Sequence, residues 1–467
     1  MDGPPGSRGG ANRRSAAPDS RRRKRYPYRV PRNFATLLLL ASLPLTACGP
    51  PPDPRPNVLL IVVDTLRADH LGYAGYAGDP TPNIDALARR SIDFERAYAP
   101  AAWTRPSIAS ILTGLDPLSH GANRIDNALR PQIETLAETF STAGYATGGV
   151  VSNVHLLESV GFRQGFEHWN EEHARDHLYV SSEQVTDAAI AILDDLKNEP
   201  EPWFLFVHYF DPHYAYIDHG DYDDAPTATA LVTGEESMRS LKEKAPRMTP
   251  RDLAVLIGRY DEEIRLTDAG IGRLLERLEE SGAANSTVTL FTSDHGEEFG
   301  ERDAIGHSTL YDEVIRVPLL LSVPGGLEAR QIDDPVSLVS VAPTLLELAD
   351  ISFDPARFDA GSLAPWTEAD PPPMDTAPIF SEIFKKHSVT QGRFKLMRDE
   401  ETGEVALYDL DRDPRETRDL SGTKPRAYER LTRLLLERRK TRRAPAATYE
   451  TDPAMREQLR ELGYTDD

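Results

Sequence analysis

Apolar residues recur along this chain with two periods. Asn57–Val63 reads NVLLIVV, Trp203–Val207 reads WFLFV, Thr287–Thr292 reads TVTLFT and Pro318–Val323 reads PLLLSV. Short, nearly continuous apolar runs predict strands buried on both faces. Between them the spacing turns helical. Within Tyr260–Leu278, Ile264, Ile271, Leu274, Leu275 and Leu278 fall on one face, and Val341–Ala349 repeats the pattern. Strands alternating with helices predict an α/β fold around a large mixed, mostly parallel sheet flanked by helices.

The remaining segments set the boundaries. Residues 217–252 are polar and acidic with little period, and read as a surface insertion that flanks the site. Residues 365–378 (PWTEADPPPMDTAP) read as a linker between a main domain, 57–364, and a small α+β subdomain, 379–467. Ile379–Leu420 reads as short strands. The stretch carrying Leu431, Leu434 and Leu435 reads as a helix. No internal repeat is present.

Composition narrows the class. The chain has 467 residues, 39% of them hydrophobic, enough for one large core and a smaller one. A single cysteine excludes an internal disulfide framework and a cysteine-rich metal site. The net charge of −22 argues against nucleic acid as a partner, because phosphate backbones require basic surface. The charge is also uneven. Residues 1–47 carry ten Lys and Arg against two acids, which leaves −30 on the remainder.

That basic leader contains Arg21-Arg22-Arg23-Lys24-Arg25 and then an apolar run, Phe34–Ala47. The run is too short to span a bilayer, which takes about 20 residues, and has the length of a signal-peptide core. It ends Leu45-Thr46-Ala47-Cys48-Gly49, which resembles a bacterial lipoprotein signal with Cys48 as the lipidated residue. On that resemblance residues 1–47 are removed and 48–56, rich in proline, form a semi-rigid tether. The resemblance implies a lipid-anchored protein of the bacterial cell envelope, with Gly49 pointing to the outer membrane. The alternative is a short anchor with an incidental cysteine.

Polar chemistry gathers where the strands end, the edge at which open α/β sheets bind ligands. Asp64 follows the first strand. His208 ends another and leads into Asp211-Pro212-His213. Asp294-His295-Gly296-Glu297 follows a third. Each alone reads as a helix cap or loop acid; three at equivalent ends point to a site. Trp103-Thr104-Arg105-Pro106-Ser107 precedes the helical stretch Ile108–Thr113. Pro106 suits a first helical turn, which puts Thr104 at a helix N-terminus, as an anion-binding residue or an ordinary N-cap.

These motifs together resemble the sulfatase family of the alkaline-phosphatase-like superfamily. The residues that carry the resemblance are Pro56–Asp64 with Thr65-Leu66-Arg67-Ala68-Asp69-His70; Thr81-Pro82-Asn83-Ile84-Asp85; Thr104-Arg105-Pro106-Ser107 with Leu112-Thr113-Gly114; Asp211-Pro212-His213; Thr292-Ser293-Asp294-His295-Gly296-Glu297; Gly306-His307; and Leu407-Tyr408-Asp409-Leu410. The resemblance places the divalent-metal ligands on Asp64, Asp294 and His295, with Thr104 at the nucleophile position and also beside the metal. It makes His213 and His307 the candidate acids for the leaving oxygen, with a hydrogen-bonded structural role as the alternative. His155, Asn153 and Arg105 fall at substrate-binding positions.

The chain departs from the family where the chemistry is done. The family's nucleophile is a cysteine matured to formylglycine; here the position is Thr104, and Cys48 is the only cysteine, so no formylglycine is expected. Ser107, the other precursor type, is three residues out of register. Basic family positions carry Ile108, Asn153 and His307, and the usual second aspartate is Thr65. A threonine hydroxyl needs a metal or base to become a nucleophile. Zinc or manganese suits the imidazole, and calcium or magnesium is what the resemblance implies; oxygen ligands with one imidazole do not decide between them. A second metal held by His208, Asp211 and His213 is a further alternative.

Three functions are consistent with this reading. One is a metal-dependent hydrolase of sulfuric or phosphoric esters, on a small molecule, glycan or lipid. Another is a transferase of the phosphoethanolamine type. The last is a non-catalytic lipoprotein that holds anionic glycans, for which Arg67, Arg105 and Arg124 would supply local positive charge. Oligomeric state is not readable from the sequence.

Overall fold

The run Asn57–Val63 is the central strand of an eight-stranded sheet. Val58 through Val63 are fully buried, and burial of each such side chain contributes about 1.5–3 kcal/mol. From edge to edge the strands are Arg330–Ile332, Ile92–Phe94, Leu319–Ser322, Thr287–Ser293, Asn57–Val63, Trp203–Tyr209, Ala146–Val150 and His168–Asn170. Leu319–Ser322 is antiparallel to both neighbours and the other pairings are parallel. This is the mostly parallel α/β sheet the periodicity predicts. The computed structural model describes residues 55–461 apart from 79, 176–180, 217–226, 235, 370, 372–376, 441–446 and 450–452. The leader, Cys48 and most of the tether lie outside the described residues. Among those described, no helix is long and apolar enough to cross a membrane.

Two expectations are corrected. The helix read from Tyr260 begins at Pro250 and runs to Glu280. Thr249 and Asp252 form a reciprocal capping box that starts it, with Pro250 in the first turn. The segment read as an irregular insertion therefore ends earlier, and its described part also contains the helix Met238–Lys244. The strand at Ala146–Val150 was invisible to the apolar pattern because its sequence is ATGGV. Its glycines make room: a β-carbon on Gly148 would sit 2.5 Å from Ile192, and one on Gly149 2.7 Å from Trp169.

Residues 379–409 form a four-stranded antiparallel sheet, Ile379–Ile383, Lys386–Gln391, Phe394–Asp399 and Val405–Asp409, covered by the helix Pro425–Arg438. The segment read as a linker is tied to the body: Ala364–Thr367 is a 3-10 turn, and Arg330 donates to the carbonyl of Glu368 at 2.7 Å and to that of Trp366. The small sheet is also pinned by Lys395. Its ammonium is fully buried, 2.8 Å from Asp312 and 2.9 Å from Glu416. Removing one member of a buried ion cluster strands the others, at a cost of about 3–5 kcal/mol. Lys395→Met is therefore expected to destabilise the protein by about that much in urea unfolding. A loss under about 1 kcal/mol, the range of an exposed pair, would show that the cluster does not hold the sheet.

Candidate active site

Parallel strands in register end together. Val63 lies opposite both Tyr209 and Ser293, so the residues that follow, Asp64 and Asp294, leave the sheet side by side at its carboxyl edge. The Asp64 amide donates to the Tyr209 carbonyl at 2.9 Å. His208 pairs with Val62, two residues before Asp64, and the period of two turns its ring to the face that Asp64 uses. Asp64, His208 and Asp294 offer ligand atoms that all lie within 4.8 Å of one another. His208 Nε2 is 3.6 Å from Asp64 Oδ2; His295 Nε2 is 3.7 Å from Asp64 Oδ1 and 3.5 Å from Asp294 Oδ2. The sequence places His208 at a strand end but outside the main ligand set. Its parity with Asp64 is the signal that brings it in.

The turn after Asp64 holds the geometry. Thr65 has φ +53°, a left-handed conformation a β-branched residue adopts at a cost of about 1–3 kcal/mol. It is held from both sides: the Thr65 amide donates to Asp294 Oδ1 at 3.2 Å, and the Tyr260 hydroxyl donates to the Thr65 carbonyl at 2.8 Å. The His295 amide donates to the same Asp294 oxygen at 2.8 Å. Asp294 Oδ2 and Asp64 Oδ1 have no hydrogen-bond partner, nor do both nitrogens of His208 and Nε2 of His295. Two carboxylates and two imidazoles aimed at one space, all buried and unsatisfied, fit a divalent cation.

Thr104 is the first residue of the helix Thr104–Thr113, with Trp103 as the flanking residue. Its hydroxyl does not cap the helix. Oγ1 donates to Asp64 Oδ2 at 3.3 Å, and Asn153 Nδ2 lies 3.4 Å from Oγ1 and 2.6 Å from the same Asp64 oxygen. Thr104 is fully buried. Ser107, the alternative precursor position, spends its hydroxyl on the Asp294 carbonyl at 2.7 Å.

Burial sets the charges. It raises the pKa of Asp64 well above the usual carboxylate value, reinforced by the charge of Asp294. Asp294 is pushed up to about 7, again by burial. Burial lowers His208 to about 3 and His295 to about 4, and holds His155 and His307 well below the usual value. These rings are therefore neutral, and their tautomers can be read from their partners. A carbonyl only accepts, so His213, His295 and His307 carry the proton on Nδ1, which faces the carbonyls of Tyr214, Gly296 and Ala102 at 3.0, 3.0 and 2.9 Å. That leaves Nε2 of His295 as a basic ligand atom. His155 is the reverse: its Nδ1 accepts from Arg105 at 3.2 Å, which places the proton on Nε2. His213, His307 and His295 stand in a row, with ring centroids 5.6 and 4.5 Å apart.

Other predicted residues sit elsewhere. Arg105 is buried with its guanidinium on the carbonyls of Ile125 and Asn127, on His155 and on the Tyr449 hydroxyl. It orients His155, and nothing in the sequence marks Tyr449 as its partner. Arg67 is paired with Asp69 and Glu301, and Arg124 with Asp126. Asp211 is not placed as a second-metal ligand, because Oδ2 accepts from the Ser181 and Ser182 amides and the Ser182 hydroxyl at the start of the helix Ser182–Leu196. His70 bonds Asp261. A cavity of about 990 Å³ is lined by residues such as Arg67, Asp93, Arg302 and Glu416 and does not include this cluster.

Comparison with known proteins follows the same line. Residues 56–351 match the family model described as sulfatase, and 300–444 match one described as N-sulphoglucosamine sulphohydrolase, C-terminal. The chain is 28% identical to an ulvan-active sulfatase of Formosa agariphila over 64% of its own length and 62% of that relative's, so it spans under two thirds of that protein. It is 25% identical to an N-acetylglucosamine-6-O-sulfatase of Bacteroides thetaiotaomicron, covering 84% of this chain and 88% of the relative. The phosphonate monoester hydrolase of Agrobacterium radiobacter shares the fold, with a TM-score of 0.66 and 24% identity over 82% of this chain and 95% of that one.

Metal content tests the cluster. The purified protein is expected to bind about one divalent ion per chain, Asp294→Ala to lose it, and His208→Ala to weaken binding about 10–100-fold. An Asp294→Ala protein with full occupancy would contradict the ligand set.

Proposed function

The chain belongs to the sulfatase family, and from that premise we propose that it is a metal-dependent ester hydrolase in which unmodified Thr104 is the nucleophile. The observation that carries this is the Thr104 hydroxyl held against Asp64 in the buried cluster of Asp64, Asp294 and His208, with His295 Nε2 3.5 Å from Asp294. A divalent cation at Asp64, Asp294, His295 and His208 would lower the pKa of a nearby hydroxyl and offset charge on the ester oxygens. The two imidazoles favour zinc or manganese over calcium.

This chain's residues then account for the proton and group transfers. Asp64 Oδ2 is the atom placed to take the Thr104 proton. Asn153, 3.4 Å from Oγ1, orients the hydroxyl. Thr104 Oγ1 bonds to the sulfur or phosphorus and the bond to the leaving oxygen breaks. That oxygen takes a proton drawn from solvent through Nε2 of His213 or His307, the ring nitrogen able to accept and pass it on because Nδ1 keeps its own proton on a carbonyl. His155, oriented by Arg105, presents Nε2–H to the ester oxygens. Water then attacks the sulfur or phosphorus, and the bond to Thr104 breaks to return the hydroxyl.

Sulfuric esters are the family's substrates, and the N-acetylglucosamine-6-O-sulfatase relative supports a sulfated sugar. Phosphate or phosphonate esters are the second reading. A threonine ester lacks the second hydroxyl with which hydrated formylglycine expels its group, so release depends on attack at the central atom, and phosphorus accepts that more readily. An alcohol in place of water would turn the same cycle into transfer. The basic leader and Cys48 support a lipid-anchored protein of a bacterial envelope.

The test is a panel of aryl sulfate, phosphate monoester, phosphodiester and phosphonate with purified protein. Thr104→Ala is expected to lower kcat/KM on the best substrate by about 10³-fold or more while metal content stays unchanged. Retention of more than about a tenth of the activity, a loss below 1.4 kcal/mol, would make water the nucleophile instead.

A further inference from the structure

Asp64, Thr104, Asn153, His155, His208, His213, Asp294 and His295 are all exposed by 1% or less, whereas His307 reaches 9%. His307 is thus the most exposed of these residues and marks the side of the cluster nearest solvent. The residues on that side include Lys242, whose Cε would be 3.1 Å from a β-carbon on Gly306. They also include the turn of the hairpin joining Ile379–Ile383 to Lys386–Gln391, where Lys386 Nζ donates to the Ser308 carbonyl at 3.0 Å.

The tip of that turn is Phe384, a residue with two unfavourable features. Its side chain is 60% exposed, the most exposed large hydrophobic residue described. Its φ is +50°, in the left-handed region that glycine, asparagine and aspartate fill in two-residue hairpins. The ring is nevertheless placed. It stacks on Trp103, with centroids 6.2 Å apart and planes at 26°. Trp103 immediately precedes Thr104 and meets His155 edge-on at 5.3 Å. The hairpin cannot shift independently of the nucleophile. The Glu382 amide donates to the Pro100 carbonyl at 3.0 Å, the Ala102 amide to the Glu382 carbonyl at 3.3 Å, and the Ser381 hydroxyl to the Ala99 carbonyl at 2.7 Å. His307 bonds the carbonyl of that same Ala102.

We propose that Phe384 is a specificity-determining platform on which a sugar ring of the ester's leaving group stacks. The inference rests on the ester-hydrolase reading above. An exposed aromatic ring fixed beside a reaction site offers a flat apolar face to a ligand. The adjoining Lys386, and Lys385 in an exposed and therefore weak pair with Glu401 at 3.3 Å, offer charge to the acidic groups of the same ligand. A ligand with an apolar ring face and peripheral anions matches both. A platform outside the buried cluster also leaves room for chain beyond the sugar that bears the ester.

The positive φ supplies a clean variant. Phe384→Gly removes the ring and relieves the backbone, so its thermal stability is expected to equal or exceed that of the native protein. Heparin, chondroitin sulfate and carrageenan tetrasaccharides are titrated against the metal-loaded protein, with intrinsic tryptophan fluorescence as the readout. The best-binding member is expected to lose about five- to tenfold in affinity in Phe384→Gly and to keep affinity within about twofold in Phe384→Tyr. Its KM as a substrate rises in step, while kcat/KM for ethyl sulfate or ethylphosphonate esters, which have no ring, stays within about twofold. Equal losses on ringed and ringless esters, or no tetrasaccharide binding to the native protein, would overturn the platform. Phe384-dependent binding without hydrolysis of any ester would uphold the platform and reject the ester-hydrolase reading.

Discussion

Two carboxylates buried side by side govern this structure. Asp64 and Asp294 leave adjacent parallel strands at the same level and are wholly removed from water, and no cationic side chain is placed against them among the described residues. Desolvation and mutual repulsion both oppose their ionisation. Such a pair is tolerable if protonated or if a cation neutralises it. His208 and His295, neutral and with ring nitrogens unsatisfied at the same point, make the cation the economical answer. The left-handed Thr65, the Tyr260 hydroxyl beneath it and the Ser107 contact to the Asp294 carbonyl all hold this pair in place.

The nucleophile position follows from that frame. A helix beginning at Thr104 points its first side chain at Asp64, and Asn153 bridges the two. Where the family has basic groups around a formylglycine, this chain has Asn153 and His307, and its arginines are engaged away from the cluster. On the proposed reading, a cation at the carboxylates would take over the anion recognition that the family gives to fixed basic groups.

The strand-end chemistry was legible because buried parallel strands are uninterrupted apolar runs, and Asp64 and Asp294 mark where two of them stop. His208 was harder to place. It lies inside a strand, and only the register with Val62 shows which face it takes. The Ala146–Val150 strand was hidden because its glycines are selected by close neighbours, Ile192 and Trp169, that are remote in sequence. The helix start at Pro250 was missed for a local reason: a Thr–Asp capping box lies within a polar stretch. Arg105 illustrates a further limit. Its position beside the nucleophile predicts contact with substrate, but its partners Ile125, Asn127 and Tyr449 come from distant segments, and they turn it into a support for His155.

The mechanism requires that an unmodified threonine forms a covalent ester during turnover. The direct measurement is peptide mass spectrometry of the metal-loaded protein, quenched in acid after a short pulse of its best substrate. Thr104 is expected at native mass before the pulse and with a single sulfo or phospho group after it, absent when Asp64 is replaced by Ala. A Thr104 peptide that stays at native mass throughout rapid turnover, or a label on another side chain, would contradict it.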